Sequence, residues 1–142
     1  MTKIAIVYWS GTGNTQAMAN LVLDGAMSAG GQADLFTAGE FTADKAKNYT
    51  AIAFGCPSMG SEQLEESEFE PMYQSVKSEL GGKTVALFGS YGWGDGEWMR
   101  NWAVDCESAG CRMIAEPVTV NGAPEGLDAE ACKALGKALA QA

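Results

Sequence analysis

The sequence predicts an α/β protein built on a doubly wound parallel sheet with helices on both faces. Apolar runs typical of buried strands alternate with segments of helical spacing along the whole chain. Glycine-rich loops follow three of these runs, at residues 10–15, 56–62 and 89–96. In such sheets, ligands bind beyond the carboxyl ends of the strands, where the strand order reverses. We therefore expect a single domain over residues 1–142 with one binding site.

Five strands and four longer helices are expected in strict alternation. The first strand is the run Ile-Ala-Ile-Val at 4–7, and the first helix carries Met18, Leu21 and Val22 at helical spacing. Ser67 is the expected N-cap of the helix at 68–80, and the last helix places Leu127, Leu135 and Leu139 on one face. The predicted strands are 3–9, 33–37, 51–56, 84–89 and 111–120, and the predicted helices are 15–28, 68–80, 97–109 and 127–141, with a helical turn at 43–48.

Composition excludes several classes of function. The net charge of −9 argues against nucleic-acid binding, and the absence of histidine excludes a histidine-based zinc site or a Ser-His-Asp triad. No apolar run approaches the roughly 20 residues of a membrane span, and no signal peptide is visible at the start. The four cysteines show neither metal-ligand spacing nor CxxC, so we interpret them as buried free thiols of a cytoplasmic protein: Cys56, Cys106, Cys111 and Cys132.

The first loop, residues 10–15, has the features of an anion site. It joins a strand to a helix N-terminus, where unpaired amides and the helix dipole favour negative charge. The loop contains no lysine or arginine and lacks the GxxxxGK[ST] pattern, so it suits a phosphate anchor better than phosphoryl transfer. A dinucleotide fingerprint is only partial, because Gln16 replaces its third glycine, although Asp34 lies near the position of a ribose-binding acid. A phosphatase of this architecture would need a cysteine here, and none precedes Cys56.

The other two loops offer groups suited to a planar ligand. Met59 can lie against an aromatic ring, Gly60 lets its peptide turn at low cost, and Glu62 can accept a hydrogen bond from a ring N–H. An ordinary turn with Met59 on the core remains the alternative. Trp93 stands between glycines in the third loop, where it can stack on a planar group, whereas Trp98 is interpreted with Trp102 as a packing residue. Together the loops predict a site for a phosphorylated planar heterocycle.

Four motifs resemble the short-chain flavodoxins of clostridia and related anaerobes: residues 8–15, 55–60, 65–71 and 85–96. The resemblance covers essentially the whole chain. It implies a five-stranded sheet of order 2-1-3-4-5 and one non-covalent FMN that cycles between quinone, semiquinone and hydroquinone. It further implies a one-electron carrier between redox enzymes, with no enzymatic activity of its own. Because the three loops offer no cation to the reduced flavin, we expect its potential to be low.

The resemblance also implies a role for each loop residue. The phosphate would be held by residues 10–15, with Ser90 close by, while Met59 would pack on the inner ring face and Trp93 on the outer. Glu62 would accept the flavin N3–H bond, and the peptide after Gly60 would turn toward N5. The chain departs from some relatives at Pro57 and Ser61. The full set of expected FMN contacts is Ser10, Gly11, Thr12, Gly13, Asn14, Thr15, Pro57, Ser58, Met59, Gly60, Ser61, Glu62, Ser90, Tyr91, Gly92, Trp93 and Gly94.

An acidic rim is expected to dock basic redox partners, and it consists of Glu62, Glu65, Glu66 and Glu68. The protein itself is expected to be a monomer. The other interpretation of these residues is favourable interaction with a helix dipole. An FMN-dependent NAD(P)H reductase is the alternative function, but the chain has no insertion to form a nicotinamide pocket. A phosphate-sensing domain of the response-regulator kind would need an acidic cluster at a strand end, where this chain has Cys56.

Overall fold

The strands form one parallel sheet. The structure, a computed structural model, describes residues 3–60 and 62–142, so the predicted contact Ser61 lies outside the described residues. The sheet runs in the order β2-β1-β3-β4-β5, with β6 also paired to β4, and this confirms the predicted fold class and strand order. The strands are β1 (Lys3–Tyr8), β2 (Gln32–Thr37), β3 (Ala51–Gly55), β4 (Thr84–Tyr91), β5 (Arg112–Met113) and β6 (Val118–Asn121).

The helices follow the predicted positions with small differences at their ends. The predicted helix at 68–80 is shorter, because its last turn tightens into a 3-10 turn at Lys77–Glu79. None of the helices that the structure describes is long and apolar enough to cross a membrane. The helices are α1 (Asn14–Ser28), α2 (Ala43–Ala46), α3 (Phe69–Val76), α4 (Glu97–Ser108) and α5 (Leu127–Ala140).

The prediction of one continuous fifth strand at 111–120 is wrong, because this segment forms two short strands. It is divided into β5, opposite Thr84 and Val85, and β6, opposite the end of β4 from Phe88 onward. Pro117 stands in the gap and has no N–H to donate to a ladder, which explains the interruption. Because β6 pairs with the carboxyl end of β4, it carries the following Gly122 to the edge where the glycine-rich loops lie.

Both faces of the sheet are covered, as the strand composition predicts. On one face, Phe54 packs with Phe69 and Tyr73 of α3 in edge-to-face and stacked contacts, and Trp102 of α4 joins them. On the other face, α1 and α5 bury Met18, Leu135 and Leu139 against the sheet. Trp98 and Trp102 are buried, as expected for packing residues, whereas Leu127 is 88% exposed and does not belong to the buried face of α5.

Candidate functional site

A cavity of about 290 Å³ lies at the carboxyl ends of β1, β3 and β4, where the three glycine-rich loops meet. Its position agrees with the expected site at the point where the strand order reverses. A larger groove of about 740 Å³ lies between α1 and α5 and carries none of the predicted site residues. The smaller cavity is lined by Trp9, Ser10, Gly11, Thr12, Asn14, Thr15, Pro57, Ser58, Met59, Ser90, Tyr91, Gly92 and Gly122.

The N-terminus of α1 forms one wall of this cavity and is well suited to an anion. Gly13 takes a φ of 97° and donates its N–H to the Ser10 hydroxyl at 3.1 Å, which folds the loop back over the helix end. The first turn of α1 carries no acidic side chain, so no carboxylate competes for its unpaired amides. Within the described part of the chain, the side chains of Thr12 and Asn14 make no hydrogen bond and remain available to a ligand.

Two hydroxyl groups link this wall to the third loop. The Ser90 N–H donates to the buried Thr15 hydroxyl at 3.4 Å, and the Ser90 hydroxyl donates to the Gly122 carbonyl at 2.7 Å. The hydroxyl proton of Ser90 is therefore engaged, and this side chain can offer a ligand only an acceptor. Thr15 still has its own hydroxyl proton, because its oxygen is the acceptor of the bond.

The second loop is closed by a pair of backbone bonds. Met59 and Gln63 exchange N–H to carbonyl bonds of 2.8 Å in each direction, while the Ser58 N–H donates to the Ser90 carbonyl at 3.1 Å. Gly60 and Glu62 both have a φ of 55° in the resulting turn. A left-handed conformation is uncommon for a residue with a long side chain, so Glu62 depends on its surroundings to hold it.

The third loop and the start of α4 hold Glu62 in this left-handed conformation. One carboxylate oxygen of Glu62 accepts the N–H groups of Gly96 and Glu97 at 3.1 and 3.0 Å. Gly94 takes a φ of 91°, which favours glycine, and a Cβ atom there would also displace this carboxylate. Glu62 thereby caps the first turn of α4 and fixes the second loop to the third.

Buried groups support the second loop from below. The indole N–H of Trp98 donates to the Cys56 carbonyl at 3.1 Å, and the Glu65 N–H donates to the Cys56 sulfur at 3.3 Å. Burial raises the pKa of the Cys56 thiol to about 12, so this group stays protonated and serves as a structural acceptor. Sequence reasoning assigned Trp98 to packing only and did not anticipate these bonds.

The predicted contacts separate into a cavity wall and an outer edge. Of the residues expected to touch FMN, Gly60, Glu62, Trp93 and Gly94 do not line the cavity, and Gly13 lies behind it in the helix cap. Trp93 is 64% exposed and stands in a loop that Arg100 braces through two bonds to Asp95. A large exposed aromatic side chain beside a cavity is suited to cover one face of a planar ligand.

Trp9 and Gly122 line the cavity but were not among the predicted contacts. Trp9 follows β1 directly, and its indole N–H donates to the Glu68 carboxylate at 3.3 Å. Its position within the motif at 8–15 was the available signal. Gly122 had no such signal, because its approach depends on the pairing of β6 with β4.

The acidic rim needs one correction, because Glu65 is only 5% exposed. Its carboxylate accepts the N–H groups of Ser67, Glu68 and Phe69 at 2.8 to 2.9 Å, together with the Ser67 hydroxyl. Glu65 therefore caps α3 in the place predicted for Ser67. Burial alone would raise the pKa of this carboxyl, but the hydrogen bonds from Ser67, Phe69 and Glu68 lower it below its usual range.

The chemistry of the cavity fits FMN. Neutral donors and free helix amides gather at one end, as a phosphate requires, and Met59 and Tyr91 offer apolar surface at the other. The residues described around the cavity include no lysine or arginine. The donor set therefore matches a phosphate held as an anchor, next to a ring system.

Comparison with known proteins identifies the same family. The flavodoxin family model matches residues 6–135. Flavodoxin from Megasphaera elsdenii is 44% identical over 139 residues, covering 98% of this chain and 99% of that protein. Flavodoxin from Clostridium beijerinckii is 42% identical over 135 residues, covering 95% and 97% of the two chains. The solution structure of two-electron reduced Megasphaera elsdenii flavodoxin superposes with a TM-score of 0.91 over 98% of this chain and 99% of that one.

These matches extend over nearly the full length of both partners and agree with the cavity and its donor set. Flavodoxins are electron-transfer proteins and not enzymes, and their cofactor is FMN. This chain therefore belongs to the flavodoxin family and is an FMN-binding electron carrier.

Proposed function

We propose that residues 10–15 hold the FMN phosphate without help from a cation. The observation that carries this proposal is the meeting of unpartnered Thr12 and Asn14 side chains with the free amides of α1 at one end of the cavity. Ser10 and Thr15 are oriented by the bonds they accept, so their hydroxyl protons can point toward an anion. The contribution of Ser90 is indirect, since its hydroxyl holds Gly122 in place.

The ring system is proposed to lie between the second and third loops. Met59 offers a soft apolar surface inside the cavity, and the exposed indole of Trp93 can cover the opposite side. The Glu62 carboxylate oxygen that accepts neither α4 amide is proposed to face the ring edge. Pro57, Ser58, Tyr91 and Gly92 complete the walls. The left-handed Gly60 leaves the following peptide free to turn at low cost.

The bound flavin supplies one-electron chemistry, and the protein is proposed to set a low potential for it. Negative charge on a ring in this site would meet apolar Met59 and Trp93 and the carboxylate of Glu62, with no lysine or arginine among the cavity residues described. Burial without a compensating cation makes a negative charge costly. The second electron is therefore held weakly, which makes the protein a strong reductant.

The exposed part of the acidic rim is proposed to dock basic surfaces of redox partners. Glu66 and Glu68 are exposed and follow the second loop directly, and Glu62 lies at its tip. Glu65 has no part in docking because α3 occupies its carboxylate. The large exposed apolar side chains described here are scattered singly, which favours a monomer; they are Met27, Trp93, Val104 and Leu127. The unpaired thiols favour the cytoplasm.

The test compares ligands that differ only in the phosphate. FMN-free protein is titrated with FMN and with riboflavin, and binding is followed by quenching of flavin fluorescence. The proposal expects riboflavin to bind at least about tenfold more weakly, a difference of roughly 1.4 kcal/mol. Equal affinities would show that residues 10–15 do not hold the phosphate. NADH added to the FMN-loaded protein should not be consumed, whereas turnover would favour the NAD(P)H reductase alternative.

A further inference from the structure

Two cysteines lie together at the carboxyl end of α4, away from the flavin site. α4 ends at Ser108, and Gly110 follows with a φ of 89°. The Gly110 N–H donates to the Glu107 carbonyl at 3.0 Å, and the Cys111 N–H donates to the Cys106 carbonyl at 3.2 Å. This pair of bonds is a Schellman motif, which brings the side chain of its last residue against the one five positions earlier. Here both of those side chains are thiols.

The two thiols differ in their surroundings. Cys106 is fully buried, and its sulfur lies 3.2 Å from the Tyr73 hydroxyl, which also donates to Asp105 at 2.8 Å. Cys111 is half-buried, so a small reagent can reach it. Lys77 forms an ion pair of 2.8 Å with Asp105 and places a positive charge beside the cluster.

The pKa values of the two thiols are shifted in opposite directions. The hydrogen bond from Cys106 lowers the pKa of Cys111, aided by the charge of Lys77, although burial and Asp105 act in the opposite direction. The same bond, together with burial, raises the pKa of Cys106. Cys111 thus ionises first at the more accessible position, and an accessible thiolate beside a second thiol is the arrangement of an attacking and a resolving cysteine.

We propose that Cys106 and Cys111 form a reversible thiol oxidation site that exchanges with small disulfides such as glutathione disulfide. The Cys111 thiolate attacks one sulfur of glutathione disulfide, forms a mixed disulfide and releases one glutathione thiolate. Cys106 then loses its proton and attacks the Cys111 sulfur, which forms the Cys106–Cys111 disulfide and releases the second glutathione. The protein dithiol is oxidised by two electrons, and one glutathione disulfide is reduced to two glutathione thiols.

The other two cysteines provide internal controls. Cys56 and Cys132 are buried, and burial raises their pKa values to about 12 and about 11. Neither has a thiol among its described hydrogen-bond partners. Both should stay reduced under conditions that oxidise the pair.

The experiment treats the FMN-loaded protein with glutathione disulfide and maps the thiols by mass spectrometry. We expect the intact protein to lose two hydrogen atoms, with a Cys106–Cys111 link in the peptide map and free Cys56 and Cys132. Alkylation of the untreated protein should label Cys111 about tenfold faster than Cys132. Unchanged flavin absorbance shows that the fold and the FMN site are intact.

Matched variants identify the order of the steps. Cys106→Ser should stop at a stable glutathione adduct on Cys111, and Cys111→Ser should not react, while Cys132→Ser should behave as the wild type. A stable glutathione adduct on the wild-type protein, or labelling of Cys111 no faster than Cys132, would overturn the proposal. Both of those measurements use the wild-type chain and do not depend on whether a variant folds.

Discussion

The carboxylate of Glu62 accepts the backbone N–H of Gly96 at 3.1 Å and thereby joins the second loop of the flavin site to the first turn of α4. The same oxygen accepts the Glu97 N–H, so two amides at the helix end depend on one side chain. Glu62 takes a left-handed conformation at this position. One residue therefore holds the second and third loops together.

Replacing Glu62 with alanine should loosen this junction. We expect the FMN-free protein to lose about 1 kcal/mol of unfolding free energy, the typical cost of removing a helix cap. The measurement is urea denaturation followed by circular dichroism. Glu66→Ala is the matched control, because Glu66 is exposed in the same segment. Equal stability of the two variants would contradict the capping role of Glu62.

Thr12→Val should weaken the hold on the FMN phosphate. The Thr12 hydroxyl has no partner among the described residues, so its removal costs the free protein nothing while a ligand loses one bond. We expect FMN affinity to fall by about tenfold, near the upper range for one hydrogen bond. Riboflavin affinity should not change, and Thr119→Val on the exposed part of β6 should affect neither ligand. Equal losses for FMN and riboflavin would place Thr12 away from the phosphate.

Much of the fold could be predicted because it follows from local patterns. Strands buried on both faces are nearly continuous in apolar residues, and the loop at 10–15 has its glycines and hydroxyls within one short segment. The division of the fifth strand at Pro117 was missed, because the apolar residues around it favour a continuous strand. Pro117 was the local signal for the break, but the pairing of each half with a different part of β4 is not a local property.

The acidic segment shows most clearly what sequence could not settle. Glu65, Glu66 and Glu68 are chemically alike and close together, yet only Glu65 is buried. The difference arises from the turn before α3, which directs three amides and a hydroxyl toward one carboxylate. Gly122 was missed for a related reason, since its place at the cavity depends on the pairing of β6 with β4, whose partner residues are 30 positions apart along the chain.

Glu65→Gln should remove a pH-dependent part of the stability. The folded pKa of Glu65 lies below its ordinary value of 4.5, so the ionised group stabilises the folded state above that pH. This stabilisation is lost as the pH falls through the folded pKa. Because hydrogen bonds to a charged acceptor contribute roughly 1.5–3 kcal/mol, we expect a deficit of that order for the variant at neutral pH.

Urea unfolding of the FMN-free proteins between neutral pH and about pH 3 measures this difference. The curves of the wild type and Glu65→Gln should converge toward the acidic end. Glu66→Gln, an exposed neighbour, should follow the wild type throughout. A deficit for Glu65→Gln that stays constant with pH would show that the charge of Glu65 has no role in capping α3.

Charge reversal at Glu66 and Glu68 should slow electron transfer to a basic partner. Opposite charges speed the encounter of two proteins, and salt screens this attraction over about 8–10 Å. With a basic c-type cytochrome as the acceptor, we expect Glu66→Lys to lower the transfer rate several-fold at low salt, and Glu66→Lys with Glu68→Lys to lower it by about tenfold or more. The dependence of the rate on salt should flatten, because less attraction remains to be screened.

The control for this prediction must change the net charge equally at a distant surface. Asp24→Lys with Glu107→Lys reverses two exposed carboxylates, one on α1 and one on α4, both outside the flavin cavity. If the rim docks the partner, this variant should retain most of the wild-type rate. Equal slowing by both double variants would assign the effect to overall charge and contradict a specific docking surface. Glu68 also accepts the indole N–H of Trp9, which lines the flavin cavity, so FMN affinity is measured for each variant. Glu66→Lys leaves that bond intact and therefore separates an effect on docking from an effect on cofactor binding.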